Sequence, residues 1–309
     1  MKKLLYRFFV TAVRPLFHSF GLDLVAWHKE LSDVEVWKEV LKFSDRARSF
    51  VPDFDLNSKR RNVIWQFWWQ GAENAPAIVK ACMSSVRKYA NGWSVVVLDQ
   101  SNFSEYVNVP ERILRRLRLG EMSIAHFSDY LRASLLSKYG GVWADATVYF
   151  TDVIPREIID SKFFMFKSAH WAHDAEIPCE ELLARCVHVA GRNGLGGGAD
   201  AGSSWFLSSM PDSPILTLTA KLLEWYWKDH NILVDYFLFH EFLTLGVCVN
   251  RFCREEYCSA PVKTNIFPHI LQFALQDEPN EEQLAAIKDA SPIHKLTYKL
   301  PASPRFIHL

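Results

Sequence analysis

One stretch of about forty residues constrains the fold more than any other part of the sequence. It begins with "NVIWQFWWQG", residues 62–71, an aromatic and β-prone run that ends at a glycine, and closes with "WSVVVLD", residues 93–99. The second run is short and almost continuously apolar, which is typical of a strand buried on both faces of a parallel sheet. A helical pattern over residues 76–89 separates the two runs. The stretch therefore predicts a strand, helix, strand unit and an α/β fold.

The length and charge of the chain limit the classes of protein it can belong to. At 309 residues it can hold one α/β domain with an additional segment. Its 35 basic and 35 acidic residues give no net charge, so the electrostatic footprint of a nucleic-acid-binding protein is missing and we expect no nucleic-acid partner. Aromatic residues make up 14% of the sequence, which indicates a large core and leaves room for rings that stack on sugars and bases.

The six cysteines favour a cytosolic compartment. The sequence shows no secretory signal, so we interpret them as reduced thiols rather than disulfides. Three of them, Cys248, Cys253 and Cys258, are spaced without the Cys-x-x-Cys geometry of a zinc knuckle, and we do not expect a metal there.

The first twenty residues, "MKKLLYRFFVTAVRPLFHSF", allow two interpretations. Arg7, Arg14 and Pro15 interrupt the apolar run, which excludes a bilayer-spanning helix. Apolar side chains nevertheless share one helical face, with lysines and arginines available to anionic headgroups. Residues 1–20 are thus either a peripheral anchor at the inner face of the cytoplasmic membrane or a helix packed on the protein's own core.

The chain divides near residue 60. Apolar residues recur every three or four positions between residues 24 and 41, as in amphipathic helices, and "VPDFDLNSKRRN", residues 51–62, breaks that pattern. We therefore expect an N-terminal helical segment over residues 1–60 and the main α/β domain over residues 61–309. In the main domain we predict helices at residues 111–119 and 123–139 and a strand at 142–150. The glycine-rich run 191–204 is interpreted as a mobile active-site loop.

A lone carboxylate marks the strand predicted at residues 142–150, "VWADATVYF". Alternation places Trp143, Asp145 and Thr147 on one face of that strand. A carboxylate in so apolar a strand is costly to bury unless it is paired or binds a metal ion. Ligands of open α/β sheets bind outside the carboxyl ends of the strands, where both Asp99 and Asp145 are expected.

The helix before this strand carries a second pair of charges. Asp129 and Arg132 are three residues apart in "HFSDYLRASLLSKY" and share a helix face. They could form an exposed ion pair of little energetic value. Alternatively, Gly140 and Gly141 end the helix and hold the pair at a fixed distance from Asp145.

Three blocks in order resemble one protein family: "VIWQFWWQG", "HFSDYLRASLLSKYGGVWADATVYF", and "DYFLFHEF" with the closing "SPIHKLTYK". They are similar to the capsular polysaccharide synthesis proteins, bacterial glycosyltransferases related to the family 32 sugar transferases with an Asp-x-Asp motif. The resemblance covers roughly residues 60–300. It implies a GT-A-type fold, a mixed nucleotide-sugar-binding sheet flanked by helices. It also implies a nucleotide-sugar donor, a divalent cation (Mn²⁺ or Mg²⁺) and retention of anomeric configuration.

The resemblance also implies roles for individual residues. Asp129 and Arg132 match a pair that contacts the donor sugar and its phosphate side, and Asp145 matches the first Asp of Asp-x-Asp. These three are the expected catalytic residues. Trp68 matches the aromatic that lies by the nucleotide base, with Gln70 as a further donor contact. At the other end of the chain, His294 and Lys295, or Lys299, could reach the diphosphate, although a basic surface strand end explains them nearly as well.

The sequence leaves the metal requirement open, because Thr147 stands where related transferases have their second Asp. Mg²⁺ commonly uses one or two carboxylates together with waters and substrate phosphates. The expected metal set is Asp145, Thr147 and His240. A hydrogen-bonded core histidine is the alternative for His240, which lies in an apolar helix.

The sequence thus predicts a glycosyltransferase that moves a sugar from a nucleotide-diphosphate donor to a growing capsular or other surface polysaccharide, through a glycan or lipid-linked glycan acceptor. The alternative is a non-catalytic subunit that binds nucleotide sugar or glycan. A hydrolase or nucleotidyltransferase is weaker, because the sequence has no Walker loop and no Ser-His-Asp order.

Overall fold

The computed structural model describes residues 35–53, 55, 58–168, 201–276 and 279–299. Two sheets lie within these ranges, one of five strands and one of two. In chain order the strands are β1 (Val63–Phe67), β2 (Ser94–Leu98), β3 (Gly141–Ala144), β4 (Val148–Phe150), β5 (Phe163–Lys167), β6 (Gly202–Ser209) and β7 (Ile293–Lys295).

Helices flank both faces of the larger sheet. They are α1 (Ser44–Ser49), α2 (Ala77–Lys88), α3 (Glu111–Arg118), α4 (Ile124–Tyr139), α5 (Arg156–Ile159), α6 (Pro214–Asp229), α7 (Leu238–Val249), α8 (Arg251–Ser259), α9 (Phe267–Ala274) and α10 (Glu281–Ala290), with short 3-10 turns at Ala72–Asn74 and Phe103–Glu105. Residues 35–41 are also helical. None of the helices in the described ranges is long and apolar enough to cross a bilayer.

The large sheet is mixed, with strand order β2-β1-β3-β6-β5. β1 pairs in parallel with β2 and with β3, whereas β6 runs antiparallel to β3 and β5. The predicted strand, helix, strand unit is confirmed as β1, α2 and β2, and with it the α/β class. Because the three parallel strands end at the same edge, Trp68, Asp99 and Asp145 follow them on that edge.

The sheet separates two apolar layers. On one face Trp65, Trp143 and Leu207 pack into the main core with helices α4, α6 and α7. On the other face Ile64, Val142 and Phe206 form a second cluster. β1 is buried on both faces. β2, whose apolar run predicts a strand buried on both faces, is instead only partly buried, because it lies at the edge of the sheet and, among the described strands, has a neighbour on one side only.

The strand predicted over residues 142–150 is wrong as a single strand. β3 ends at Ala144, a tight turn follows in which the Val148 amide donates to the Asp145 carbonyl at 2.8 Å, and β4 then joins the smaller sheet with β7. Because the turn interrupts the strand, the two-residue alternation of side chains between faces does not continue from Trp143 to Thr147. Asp145 and Thr147 lie on the turn instead of on one face of a continuous strand.

Two glycines fix the junction between α4 and β3. Gly140 and Gly141 both have positive φ, 64° and 99°. A Cβ on Gly141 would lie 2.6 Å from the Val63 carbonyl oxygen, and one on Gly140 would lie 2.8 Å from the Ser209 carbonyl oxygen. No side chain fits at either position without backbone movement, so the junction sets the relative positions of α4 and the residues after β3.

The segment before residue 60 shares the main core wherever the structure describes it. Val36, Trp37, Val40 and Phe43 are buried in the same cluster as Trp65 and Trp143. The domain boundary near residue 60 stays a prediction. Residues 1–34, with the expected membrane segment, and positions 169–200, which hold most of the predicted active-site loop, lie outside the described residues.

Candidate functional site

The Asp145 carboxylate, half-buried on the turn after β3, is held by three side chains. Its Oδ1 accepts from Trp143 Nε1 at 2.9 Å and lies 3.3 Å from Arg132 Nη2, while its Oδ2 accepts from Lys295 Nζ at 2.8 Å. Burial alone would raise the pKa of Asp145, but the charges of Lys295 and Arg132 more than offset it and hold that pKa below its ordinary value. Asp145 is therefore ionised at neutral pH.

Arg132 joins helix α4 to two strands. Its Nη2 lies 3.1 Å from Asp129 Oδ1, and its Nη1 donates to the carbonyl and the hydroxyl of Ser204 at 2.8 and 2.6 Å. The guanidinium also lies over the Trp143 ring, 5.2 Å from its centroid. Its side chain is only 7% exposed, so the pair with Asp129 belongs to a buried network and the surface ion pair considered from sequence is excluded.

Asp129 differs from Asp145 in protonation. Burial raises the pKa of Asp129 to about 7; Arg132 opposes this rise and the negative charge of Asp145 adds to it. The two carboxylates therefore have separated pKa values in one site. Such a separation lets one group stay ionised while the other exchanges a proton near neutral pH.

The C-terminal strand β7 brings Lys295 to this cluster. β7 pairs with β4 in a register that sets Lys295 opposite Val148, and the Leu296 amide donates to the Thr147 carbonyl at 2.9 Å. Lys295 Nζ donates to Thr147 Oγ1 at 2.7 Å as well as to Asp145. The structure thus brings together Asp129, Arg132, Asp145, Thr147 and Lys295, which are separated by up to 166 positions in the sequence.

The predicted metal set does not fit a divalent cation in this arrangement. Lys295 already occupies side-chain oxygens of both Asp145 and Thr147. Within the described part of the chain, no group of three or more His, Cys, Asp or Glu is arranged to hold a metal ion. The oxygens expected to bind a cation instead bind an ammonium group.

His240 faces the protein's own backbone. Its Nε2 accepts from the Ser204 amide at 3.3 Å, so in the neutral ring the proton is on Nδ1. Burial, followed by the nearby charge of Arg132, lowers the pKa of His240 to about 3, so the ring is neutral. His240 supports Ser204, which in turn holds Arg132, and its geometry is that of the core histidine considered as the alternative.

His294 lies away from the cluster. It is fully buried, with its Nε2 3.2 Å from Thr151 Oγ1, and burial lowers its pKa to about 4. Neighbouring residues in a strand point to opposite faces, so Lys295 reaches Asp145 while His294 points away. The structure does not bring His294 to the expected donor site.

The predicted base-binding aromatic lies beside the same turn. Trp68 packs against a small apolar cluster formed by Ala75, Val79, Met83 and Ala146. The Tyr298 ring meets it edge-on with centroids 5.5 Å apart. Gln70 is exposed in the loop that follows, and its carbonyl accepts from Asn74 Nδ2. Trp68 therefore borders the cluster and Gln70 lies farther out.

The Asp99 carboxylate forms hydrogen bonds within the loop that follows β2. Its Oδ1 accepts from the amide and hydroxyl of Ser101 at 2.7 and 2.6 Å, and these bonds lower its pKa. Its other oxygen lies near Gly71. Asp99 is thus at the expected sheet edge, but its hydrogen bonds hold the loop after β2.

Two residues of the cluster were missed from sequence. Ser204 and Trp143 hold Arg132 and Asp145, and neither residue type signals chemistry on its own. Tyr236 packs edge-on against His126 and is largely exposed; partial burial raises its pKa, and the charges of Asp129 and Asp145 add to the rise.

Comparisons with known proteins give the site a family context. The chain is 32% identical over 126 residues to the glycosyltransferase afumC of Aspergillus fumigatus, across 37% of this chain and 28% of that protein. It is 34% identical over 92 residues to the O-glycosyltransferase braB of Annulohypoxylon truncatum, across 27% of this chain and 22% of that protein. The chain thus spans less than a third of the length of these curated relatives. A solved structure, the PaToxG glycosyltransferase, is similar over 87% of each chain with a TM-score of 0.39 and 13% identity.

A family model described as capsular polysaccharide synthesis protein matches residues 28–305. The match includes every residue of the cluster around Asp145 and confirms the resemblance seen in the three sequence blocks. The protein belongs to the capsular polysaccharide synthesis protein family.

Proposed function

We propose that this protein is a glycosyltransferase that takes a sugar from a nucleotide-diphosphate donor. The observation that carries the proposal is the Asp145 carboxylate held between two cations, Arg132 and Lys295, at the carboxyl edge of the parallel strands. The family match and the two curated relatives, both named glycosyltransferases, support the transferase class.

The chemistry of sugar transfer accounts for this arrangement of charges. A nucleotide sugar loses a diphosphate, and negative charge that develops on the leaving group must be met by fixed positive charge. Arg132 and Lys295 supply that charge, and the carboxylates of Asp129 and Asp145 hold the two cations in place and contact the sugar. Trp68, with Tyr298 at its edge, forms an aromatic surface for the nucleotide base.

Among the remaining parts of the proposal, the fold type, the stereochemistry and the polysaccharide acceptor follow from the family resemblance, whereas the membrane location follows from the apolar and basic pattern of residues 1–20. The fold is of GT-A type, and transfer proceeds with retention of configuration. The acceptor is a growing capsular or other surface polysaccharide, in glycan or lipid-linked form, and the protein works at the inner face of the cytoplasmic membrane through residues 1–20. The divalent cation that the resemblance implies is left out of the proposal, because Lys295 occupies the side-chain oxygens expected to bind it.

A screen of nucleotide sugars tests the proposal. Purified protein is incubated with UDP-, GDP-, CDP- and dTDP-sugars, and both the melting temperature and the release of nucleotide are followed. A bound donor raises the melting temperature because it binds the native state. We expect at least one donor to do so and to be turned over.

Asp145→Asn is the matched variant for this screen. The amide keeps the size of the side chain but leaves Lys295 and Arg132 without their shared counter-charge. We expect turnover to fall by at least about a hundredfold, the order seen when one group that stabilises transition-state charge is removed. Donor binding without turnover in the wild type would favour the non-catalytic binding subunit, and no binding of any donor would overturn the proposal.

A further inference from the structure

The ammonium of Lys295 lies between the two oxygens where a metal ion was expected. Its distances are 2.8 Å to Asp145 Oδ2 and 2.7 Å to Thr147 Oγ1. An ammonium group carries three protons, and these two contacts use two of them. The third is available to a phosphate oxygen, which is the partner that a metal ion in this position would have.

The backbone fixes this position. β7 is paired with β4 on one side of Lys295. In the two residues that follow Lys295, the Leu296 amide donates to the Thr147 carbonyl and the Thr297 amide donates to Gln272 Oε1 at 2.6 Å. The Lys295 side chain is 21% exposed. Its ammonium is therefore fixed by its contacts and is still accessible to a ligand.

The charges of the cluster favour an anion over a second cation. Arg132 and Lys295 face two carboxylates, and one of these, Asp129, has a pKa of about 7. The cluster therefore has a net positive charge whenever Asp129 is protonated. A divalent cation bound to Asp145 would lie beside Lys295 and be repelled by it.

Thr147 is consistent with the same arrangement. A second Asp at this position would add a negative charge that a metal ion needs and a single ammonium does not. The hydroxyl of Thr147 accepts a hydrogen bond from Lys295 without adding charge. The Asp-Ala-Thr sequence and the position of Lys295 thus have one common explanation.

We propose that Lys295, hydrogen-bonded to Asp145 and Thr147, takes the place of the divalent cation and binds the donor diphosphate directly. This rests on the proposed function, since it concerns the same donor site. It assigns Lys295 as the group that neutralises the leaving diphosphate, so that binding of a nucleoside diphosphate needs no added metal.

Calorimetric titration with nucleoside diphosphates tests this. UDP, GDP, CDP and dTDP are titrated into the full chain in EDTA and in excess Mn²⁺. We expect the diphosphate that binds to have the same Kd in both buffers, within about threefold. Lys295→Met is expected to weaken binding in EDTA by at least about tenfold, the scale of one charge-assisted hydrogen bond. Lys295→Arg, which keeps the charge, should retain more of the affinity than Lys295→Met.

Controls separate a local effect from misfolding. Lys80→Ala removes an exposed lysine on α2 and should leave the Kd unchanged. Melting curves establish that each variant is folded, and Lys295→Arg keeps the test meaningful if Lys295→Met does not fold. Titration of Mn²⁺ alone should give no saturable site in the wild type, whereas the double change Lys295→Met with Thr147→Asp should create one.

Two results would overturn the inference. One is diphosphate binding that is lost in EDTA and restored by Mn²⁺ in the wild type. The other is a saturable Mn²⁺ site in the wild type that disappears in Asp145→Asn. Either would leave the proposed function standing, whereas binding of no diphosphate in either buffer would overturn both.

Discussion

At the scale of single residues, environment decides what each carboxylate can do. Asp129 and Asp145 share Arg132, yet only Asp145 also contacts Lys295 and Trp143. The extra partners keep Asp145 ionised, whereas burial dominates at Asp129 and its pKa rises to about 7. Two residues of the same type in one cluster thus have different protonation states.

The raised pKa of Asp129 predicts a pH-dependent stability. The ordinary pKa is 3.8 and the folded value is about 7, so between these values the folded state binds a proton that the unfolded state has released. The contribution of this proton to the free energy of unfolding is complete below about pH 4 and is lost as the pH rises through about 7. It is at most about 4 kcal/mol.

Melting temperatures of the wild type and Asp129→Asn between pH 5 and about 8 measure this contribution. We expect the wild type to lose stability relative to Asp129→Asn as the pH rises. Asp289→Asn, on the exposed face of α10, serves as the control and should follow the wild type. A constant difference between the wild type and Asp129→Asn over this range would contradict the raised pKa.

At the scale of secondary-structure elements, the junction between α4 and β3 positions the charges. Helix α4 carries Asp129 and Arg132, and Asp145 follows β3 directly. Gly140 joins α4 to β3, Gly141 is the first residue of β3, and both have positive φ. The distance between Arg132 and Asp145 therefore depends on a turn that only glycine can form.

Gly141→Ala tests that dependence. The added Cβ would lie 2.6 Å from the Val63 carbonyl, so β3 must move away from β1. We expect a loss of stability above about 2 kcal/mol, since strain from the positive φ adds to the clash, and a loss of donor binding. Chemical denaturation and the donor screen provide the two measurements.

Gly120→Ala is the matched control for this change. Gly120 has a φ of 69°, but a Cβ there meets no atom within 4 Å. It should cost only about 1 kcal/mol, the price of a non-glycine residue in the left-handed region, and leave donor binding intact. Equal effects of the two substitutions would show that conformation alone, and not the contact with β1, matters at Gly141.

At the scale of the molecule, the described residues before position 60 are bound to the main core. Asn250, buried between α7 and α8, donates from its Nδ2 to the carbonyls of Ala47 and Phe50, both at 2.8 Å. Its Oδ1 accepts from the amides of Phe252 and Cys253 and so caps α8. One side chain thus joins the end of α1 to the start of α8.

Asn250→Ala should therefore destabilise the whole molecule. It leaves two buried carbonyls and the end of α8 without partners, for which we expect a loss of about 2 to 4 kcal/mol. Asn280→Ala removes the exposed cap of α10 and should cost only about 1 kcal/mol. A single denaturant transition that shifts as a unit in Asn250→Ala is expected, and separate unfolding of an N-terminal part would contradict it.

Much of the architecture could be predicted because it follows local periodicity. The apolar runs that became β1 and β2, and the helix between them, were identified from residue pattern alone, and so was α4 with its two glycines. The break between β3 and β4 was not predicted, because no proline or glycine occurs in Asp145, Ala146 and Thr147. That turn is stabilised by the pairing of β4 with β7, whose partner residue lies about 150 positions away.

The sequence by itself determined the α/β class, the parallel strands whose ends hold Trp68, Asp99 and Asp145, and the family. These three features follow from residue patterns within a few dozen positions, so hydrophobic periodicity and turn residues are enough to predict them. The tertiary structure alone decided which groups meet: Lys295 lies on Asp145 and Thr147, His240 supports Ser204, and His294 turns away. The physical reason is that contacts between distant segments are set by strand register and by packing of the whole core, which no local pattern contains.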